Sequence, residues 1–138
     1  MAKSYVLDTS ALLAYIESEE GFNTIEDILN DAKGRRARVY LSFISFMELY
    51  YVCWQKEGEQ IAKELMAMLQ SLPIDRVDSN VRITLCAGKI KAKHRLSVAD
   101  AFVAATAIEK EAALVHKDPE LEAMSEYVEV LGLPFKNG

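Results

Sequence analysis

Cysteine, proline and glycine are scarce in this 138-residue chain, at 2, 3 and 6 copies, and each scarcity removes a class of protein. Cys53 and Cys86 form no C-x-x-C pair and are too few for a disulfide scaffold or a thiolate zinc site, which favours a reducing compartment. So little Gly and Pro, beside 51% apolar and 27% charged residues, excludes a collagenous, low-complexity or disordered chain. Long hydrophobic runs are missing too. The charge-free run through Leu41 to Met47 falls far short of the ~20 residues a membrane-spanning helix needs. Near the N-terminus, Tyr5-Val6-Leu7 is stopped by Asp8 before a signal-peptide core can form, so a cytoplasmic protein with no membrane partner is expected. Positive charge is also in deficit, with 16 basic against 21 acidic residues and a net charge of -5, which argues against holding nucleic acid by bulk charge. What remains is a globular chain of one domain's length, residues 1–138, with a single core.

Strand and helix signals alternate along it. Ser4-Tyr5-Val6-Leu7 reads as a strand, and Asp8-Thr9-Ser10 supplies capping side chains for a helix through Ile16. A helix from Asn23 or Thr24 through Ala32 stops at Gly34, and residues 38–41 form the next strand. Residues 45–56 and 59–70 read as helices parted by Gly58, the first apolar around most of its circumference and therefore expected to be buried on several sides. Strand 74–77, helices 80–93 and 97–111, strand 113–116, a helix start at Asp118-Pro119-Glu120 and a last strand at 127–130 complete the pattern. Alternation of this kind predicts an α/β fold, a three-layer α/β/α sandwich around a parallel sheet, because parallel strands need crossover helices. Strand order is not contained in the pattern.

Four acids stand where a carboxylate is costly or specifically placed. Asp8 follows the first strand at its carboxyl end, the edge where open α/β sheets bind ligands, and is equally suited to cap a helix. Glu48 is the sole charge between Arg38 and Lys56, so it needs water, a base or a metal; Ser45-x-x-Glu48 also fits a capping box. Asp100 is the sole charge from Leu96 to Ile108, with Ser97 three positions earlier as a capping alternative. Asp118 follows an apolar strand and precedes Pro119, an N-cap position that also lies at a strand's carboxyl end. Four carboxylates brought to one edge without matching bases repel one another, and one or two hard divalent cations, Mg²⁺ or Mn²⁺, relieve that repulsion. Such sites assist phosphoryl chemistry, which points to a nuclease or phosphatase.

The segments Val6-Leu7-Asp8-Thr9-Ser10-Ala11-Leu12-Leu13-Ala14, Phe46-Met47-Glu48-Leu49, Ser97-Val98-Ala99-Asp100-Ala101-Phe102-Val103-Ala104-Ala105 and Leu114-Val115-His116-Lys117-Asp118-Pro119 resemble the four acidic motifs of the PIN-domain nucleases. The resemblance spans nearly the whole chain. It implies a parallel sheet of four or five strands and a Mg²⁺- or Mn²⁺-dependent ribonuclease with Asp8, Glu48, Asp100 and Asp118 as its catalytic, metal-holding residues. A free-standing domain of this size is most similar to the toxin half of a VapBC-type toxin-antitoxin pair, which implies an RNA substrate, a homodimer and a small antitoxin that blocks the acidic pocket. The position two before the fourth acid, commonly Thr or Ser in the family, is His116 here, and a His ending an apolar strand reads as structural.

Other readings carry less. Lys33, Arg35, Arg36 and Arg38 form one basic cluster and Lys89, Lys91, Lys93, His94 and Arg95 another; both suit solvated helix ends, and the second stands beside the Asp100 motif, where it can hold phosphates. Tyr50, Tyr51 and Trp54 read as core, with base stacking as the alternative. There is no G-x-G-x-x-G, phosphate loop, G-x-S-x-G or H-E-x-x-H. An aspartyl-nucleophile phosphatase wants an acid where Ser10 stands, and a phospho-acceptor domain wants an acidic pair that Leu7-Asp8-Thr9 lacks. A catalytically silent PIN-like module that binds RNA or a protein is the remaining alternative. Setting the four acids aside leaves 17 acids against 16 bases, so the acidity reads as demand for metal, and RNA binding without metal is expected to be poor.

Overall fold

Val6 and Leu7 point to opposite faces of a strand, and both are fully buried, as a central strand of a parallel sheet requires. In the computed structural model, which describes residues 3–135, that strand is β1 (Lys3–Leu7), followed by α1 (Thr9–Ile16), α2 (Phe22–Lys33), β2 (Ala37–Ser42), α3 (Phe43–Glu57) and α4 (Glu59–Ser71). Then come β3 (Asp75–Val77), α5 (Val81–Lys93), α6 (Val98–Lys110), β4 (Ala113–His116), a 3-10 helix (Pro119–Glu126) and β5 (Val130–Gly132). The five strands are all parallel in the order β3-β2-β1-β4-β5. The expected three-layer α/β/α sandwich is what forms. Val6, Tyr40 and Leu114 face a core shared with α5 and α6, while Leu7, Val39, Leu41 and Val115 face one shared with α1, α2 and α3. Each fully buried leucine among them contributes about 1.5–3 kcal/mol.

Register decides what the sheet presents. Val6 pairs with Tyr40 and Leu7 with Val115, so β1, β2 and β4 end level with one another. The chain leaves β1 toward β2 on one side and later returns to β4 on the other, which makes the gap beyond β1 and β4 the topological switch point where such sheets hold ligands. Asp8 follows β1 directly, and Asp118 stands two residues beyond the end of β4.

Three expectations change. The last strand is Val130–Gly132 rather than 127–130, because the 3-10 helix holds the chain through Glu126 and the Tyr127 N–H still bonds back to the Met124 carbonyl. α3 begins at Phe43, with no loop after β2: buried Ser42 caps it by accepting from the Ile44 N–H at 3.4 Å, so Ser45 lies inside the helix and forms no capping box with Glu48. Nor is α3 enclosed. Of its residues only Ser45 and Leu49 are buried, while Met47, Tyr51 and Trp54 are 53, 44 and 43% exposed, which corrects the core reading of Tyr51 and Trp54. α3 pairs chiefly with α4, through Gly58 at φ +91°, and the two lean out from the sheet with their outer apolar side uncovered.

Candidate metal centre at the carboxyl edge of the sheet

Asp8 is both a cap and a buried acid. One carboxylate oxygen accepts from the Ala11 N–H at 2.8 Å, and the Ser10 hydroxyl donates to the carboxylate at 2.8 Å. The Ser10 oxygen in turn accepts from the Lys117 N–H at 3.0 Å, and the Asp8 N–H reaches the Val115 carbonyl at 2.9 Å, so the exits of β1 and β4 are tied together. Asp8 is only 2% exposed. Burial pushes its pKa from the ordinary 3.8 to about 7 against the lowering effect of the Ala11 and Ser10 hydrogen bonds, and the nearby charges of Asp100 and Asp118 push it the same way.

Asp100 stands on the first turn of α6. Ser97 caps that helix by accepting the Asp100 N–H at 3.1 Å, which is the capping alternative foreseen for this pair. Its pKa rises to about 6, first through burial and then through Asp118, with Glu48 and Glu120 adding to the effect and Ser97 opposing it. Asp118 also caps, accepting from the Glu120 N–H at 3.0 Å. Glu48 is half-buried on the second turn of α3, and the acceptable partner it needed is a hydroxyl: Thr9 Oγ1 donates to Glu48 Oε1 at 2.6 Å and lies 3.0 Å from Ser45 Oγ.

Asp100, Asp118 and Glu120 each bring a ligand-type oxygen to within 4.8 Å of the others. Asp8 and Glu48 stand outside that tight trio, yet near enough for Asp8 to feel Asp100 and Asp118 and for Asp100 to feel Glu48. Glu120 was missed by sequence reasoning. An acid on the first turn of a helix ordinarily answers the helix dipole, and only its position two residues after Asp118 hinted otherwise. Among the described residues, the ion pairs lie elsewhere, and none engages any of these five acids. The arrangement is hard oxygen donors around an unneutralised charge, which suits a divalent cation of the magnesium or manganese kind.

The two basic clusters part company. Arg35, Arg36 and Arg38 surround the start of β2, at the opposite edge of the sheet. Lys91 and Lys93 occupy the last turn of α5, and Lys91 Nζ donates to the Leu96 carbonyl at 2.8 Å, bracing the short loop that leads to Ser97 and Asp100. Cys53 and Cys86 are both free, and no helix among the described residues is long and apolar enough to cross a membrane.

A family model described as PIN domain matches residues 5–127 of the chain. Solved structures share the fold at low identity. VapBC2 from Rickettsia felis, bound to a DNA fragment from its promoter, is 17% identical with a TM-score of 0.76, over 95% of this chain and 99% of that one. DNA-bound VapBC from Salmonella typhimurium is 18% identical with a TM-score of 0.75, over 96 and 98% of the two chains. VapC20 from Mycobacterium tuberculosis, described as a sarcin-ricin loop cleaving toxin, is 17% identical with a TM-score of 0.70, over 94 and 99%. A search of curated proteins returns no match.

Proposed function

The chain belongs to the PIN domain family, and on that premise we propose that residues 1–138 are one nuclease domain that hydrolyses RNA phosphodiester bonds with Mg²⁺ or Mn²⁺. The observation that carries the reading is the convergence of Asp100, Asp118 and Glu120 beside buried Asp8, with no cationic side chain among the described residues paired to any of them. Asp8, Glu48, Asp100 and Asp118 would hold the metal, with Glu120 adjoining. When bound, the cation supplies a water of lowered pKa and offsets the charge that develops on the phosphate during in-line displacement.

The chain's own residues set up the rest. Ser10 and the Ala11 N–H fix the Asp8 carboxylate, so its position does not depend on the ion. Thr9 turns Glu48 toward the same edge. Ionising Asp8 and Asp100 is disfavoured by burial, and a cation reverses that preference, so metal uptake displaces protons near neutrality. Lys93 and Arg95, exposed at the end of α5 and in the loop before α6, are suited to RNA phosphates.

The biological assignment follows the structural neighbours. Several are VapBC complexes, which supports a toxin of a VapBC-type pair with a small antitoxin as partner; a homodimer acting in the cytoplasm is part of the same proposal. A catalytically silent PIN-like binding module is the second reading. What favours it is the uncovered apolar side of α3 and α4, where Met47, Tyr51, Trp54 and Ile61 offer a partner surface whether or not the acids turn over. Incubation with structured RNA in Mg²⁺ or Mn²⁺, with EDTA and with Asp8→Asn and Asp100→Asn, separates the two. Metal-dependent cleavage lost in both variants supports the nuclease; RNA binding without cleavage supports the module; cleavage indifferent to both substitutions falsifies the site.

A further inference from the structure

His116 closes β4, and its side chain is wholly buried at 0% exposure, two residues before Asp118. A buried imidazole must place two ring nitrogens. Nδ1 accepts the Asp118 N–H at 3.2 Å, which requires a lone pair on Nδ1 and puts the ring hydrogen on Nε2. Nε2 lies 3.0 Å from Glu122 Oε1 on the 3-10 helix, without the alignment of a hydrogen bond. The pocket is shaped for this ring. Phe135 stacks on it at 5.9 Å between centroids, and a Cβ at Gly132, its register partner on β5, would stand 2.8 Å from Glu122 Oε1 and 3.6 Å from the ring.

The ring sits between two halves of the turn that carries Asp118. On one side the Lys117 N–H is held by Ser10, the partner of Asp8; on the other the Asp118 N–H is held by His116. No backbone carbonyl takes that N–H in the described residues. The Asp118 carboxylate in turn accepts from Glu120, so the imidazole, Asp118 and Glu120 form one chain of contacts ending in two of the clustered acids.

We propose that His116 is a positioning residue for the acidic centre: through Nδ1 it fixes the backbone at Asp118, and with it the placement of the Asp118 and Glu120 carboxylates opposite Asp100. The inference rests on the metal reading above. Groups that orient ligands from behind cost about 10–100-fold in metal affinity when removed. Asn at 116 can return an acceptor oxygen to the place of Nδ1, whereas Gln reaches toward the place of Nε2 and Leu offers neither.

The test is Mn²⁺ titration of the purified chain, with free ion counted by its EPR signal, for wild type, His116→Asn, His116→Gln and His116→Leu. Thermal unfolding of each variant checks that it is folded. The Asn variant is expected to bind within a few-fold of wild type, and the Gln and Leu variants about tenfold or more weaker. Folded Gln and Leu variants that bind like wild type, or an Asn variant as weak as Leu, would overturn the proposal. Long-range ¹H–¹⁵N correlation of the wild-type ring gives an answer that needs no variant: hydrogen on Nε2 is expected, and hydrogen on Nδ1 overturns the proposal. Wild-type protein that binds no Mn²⁺ sinks the metal reading and the positioning role with it, while the ring spectrum still reports the hydrogen bond.

Discussion

The two edges of the sheet handle charge in opposite ways. At the amino edge, acids find bases in water: Lys3 meets Glu129 at 3.2 Å and Arg36 meets Asp31 at 3.2 Å, all with side chains about half or more exposed. At the carboxyl edge, five acids gather with no base paired to them in the described residues; Asp8, Glu48 and Asp118 take hydroxyls or backbone N–H groups as partners, and the deepest, Asp8, is almost sealed from solvent. Exposed pairs of the first kind contribute little, about 0–1 kcal/mol each. The second kind costs the metal-free fold stability whenever its carboxylates ionise. On the proposed function, such an arrangement is organised around a cation that offsets this cost.

That contrast breaks most visibly in activity. Asp100→Asn is expected to lower metal-dependent RNA cleavage by roughly 10²–10³-fold, the range for removing one electrostatic contributor to the reacting charge, as measured by initial rates under saturating Mn²⁺. Glu120→Gln, at an exposed member of the trio, is expected to lower it only several-fold, and an effect as large as that of Asp100→Asn would move Glu120 to the centre of the site.

Stability comes next. The pKa of Asp8 is raised in the folded state, so the native protein binds more protons than the unfolded one between about 3.8 and about 7. Stability contributed by its neutral form is therefore present at low pH and lost as pH rises through that window; Asp100 acts in the same sense up to about 6. In EDTA, Asp8→Asn keeps an oxygen for the Ala11 cap and removes the charge. It is expected to raise the Tm at pH 8 by about 5 °C, at roughly 3 °C per kcal/mol, and to flatten the fall in Tm between pH 5 and 8. Added Mn²⁺ should restore the wild-type Tm and leave the variant unmoved. A variant less stable than wild type at pH 8 would show that the cap outweighs the buried charge.

The smallest effects belong to the amino edge. Lys3→Ala and Asp31→Asn are expected to change stability by less than about 0.5 kcal/mol and cleavage not at all, as followed by urea unfolding and the same rate assay.

Much of this was legible in the residues because helix periodicity, caps and strand ends are local signals. Asp8 and Asp118 follow apolar strands, and the capping half of their reading is what the structure shows: in both residues a carboxylate oxygen caps a helix, which leaves the group still facing its acidic neighbours and compatible with the proposed ligand role. What stayed hidden depended on who packs against whom. α6 and α3 look alike as apolar helices with a single acid in their first two turns, yet α6 buries Ala101 and the whole run from Val103 to Ala107, whereas α3 buries Ser45 and Leu49. One lies over the sheet and the other leans outward on α4. Glu120 was hidden because a first-turn acid has an ordinary explanation, and the start of β5 because nothing in residues 119–126 announces a 3-10 helix of that length.

On the proposed function, the carboxyl edge takes up a divalent cation in exchange for protons. Calorimetric titration of Mn²⁺ into the metal-free protein at pH 6.5, run in two buffers of different ionisation enthalpy, measures both together. Saturable binding is expected with release of about one proton per site, as the raised Asp8 and Asp100 give theirs up, and with loss of that release in Asp8→Asn. Saturable binding with no proton release, or no binding at all, would contradict it.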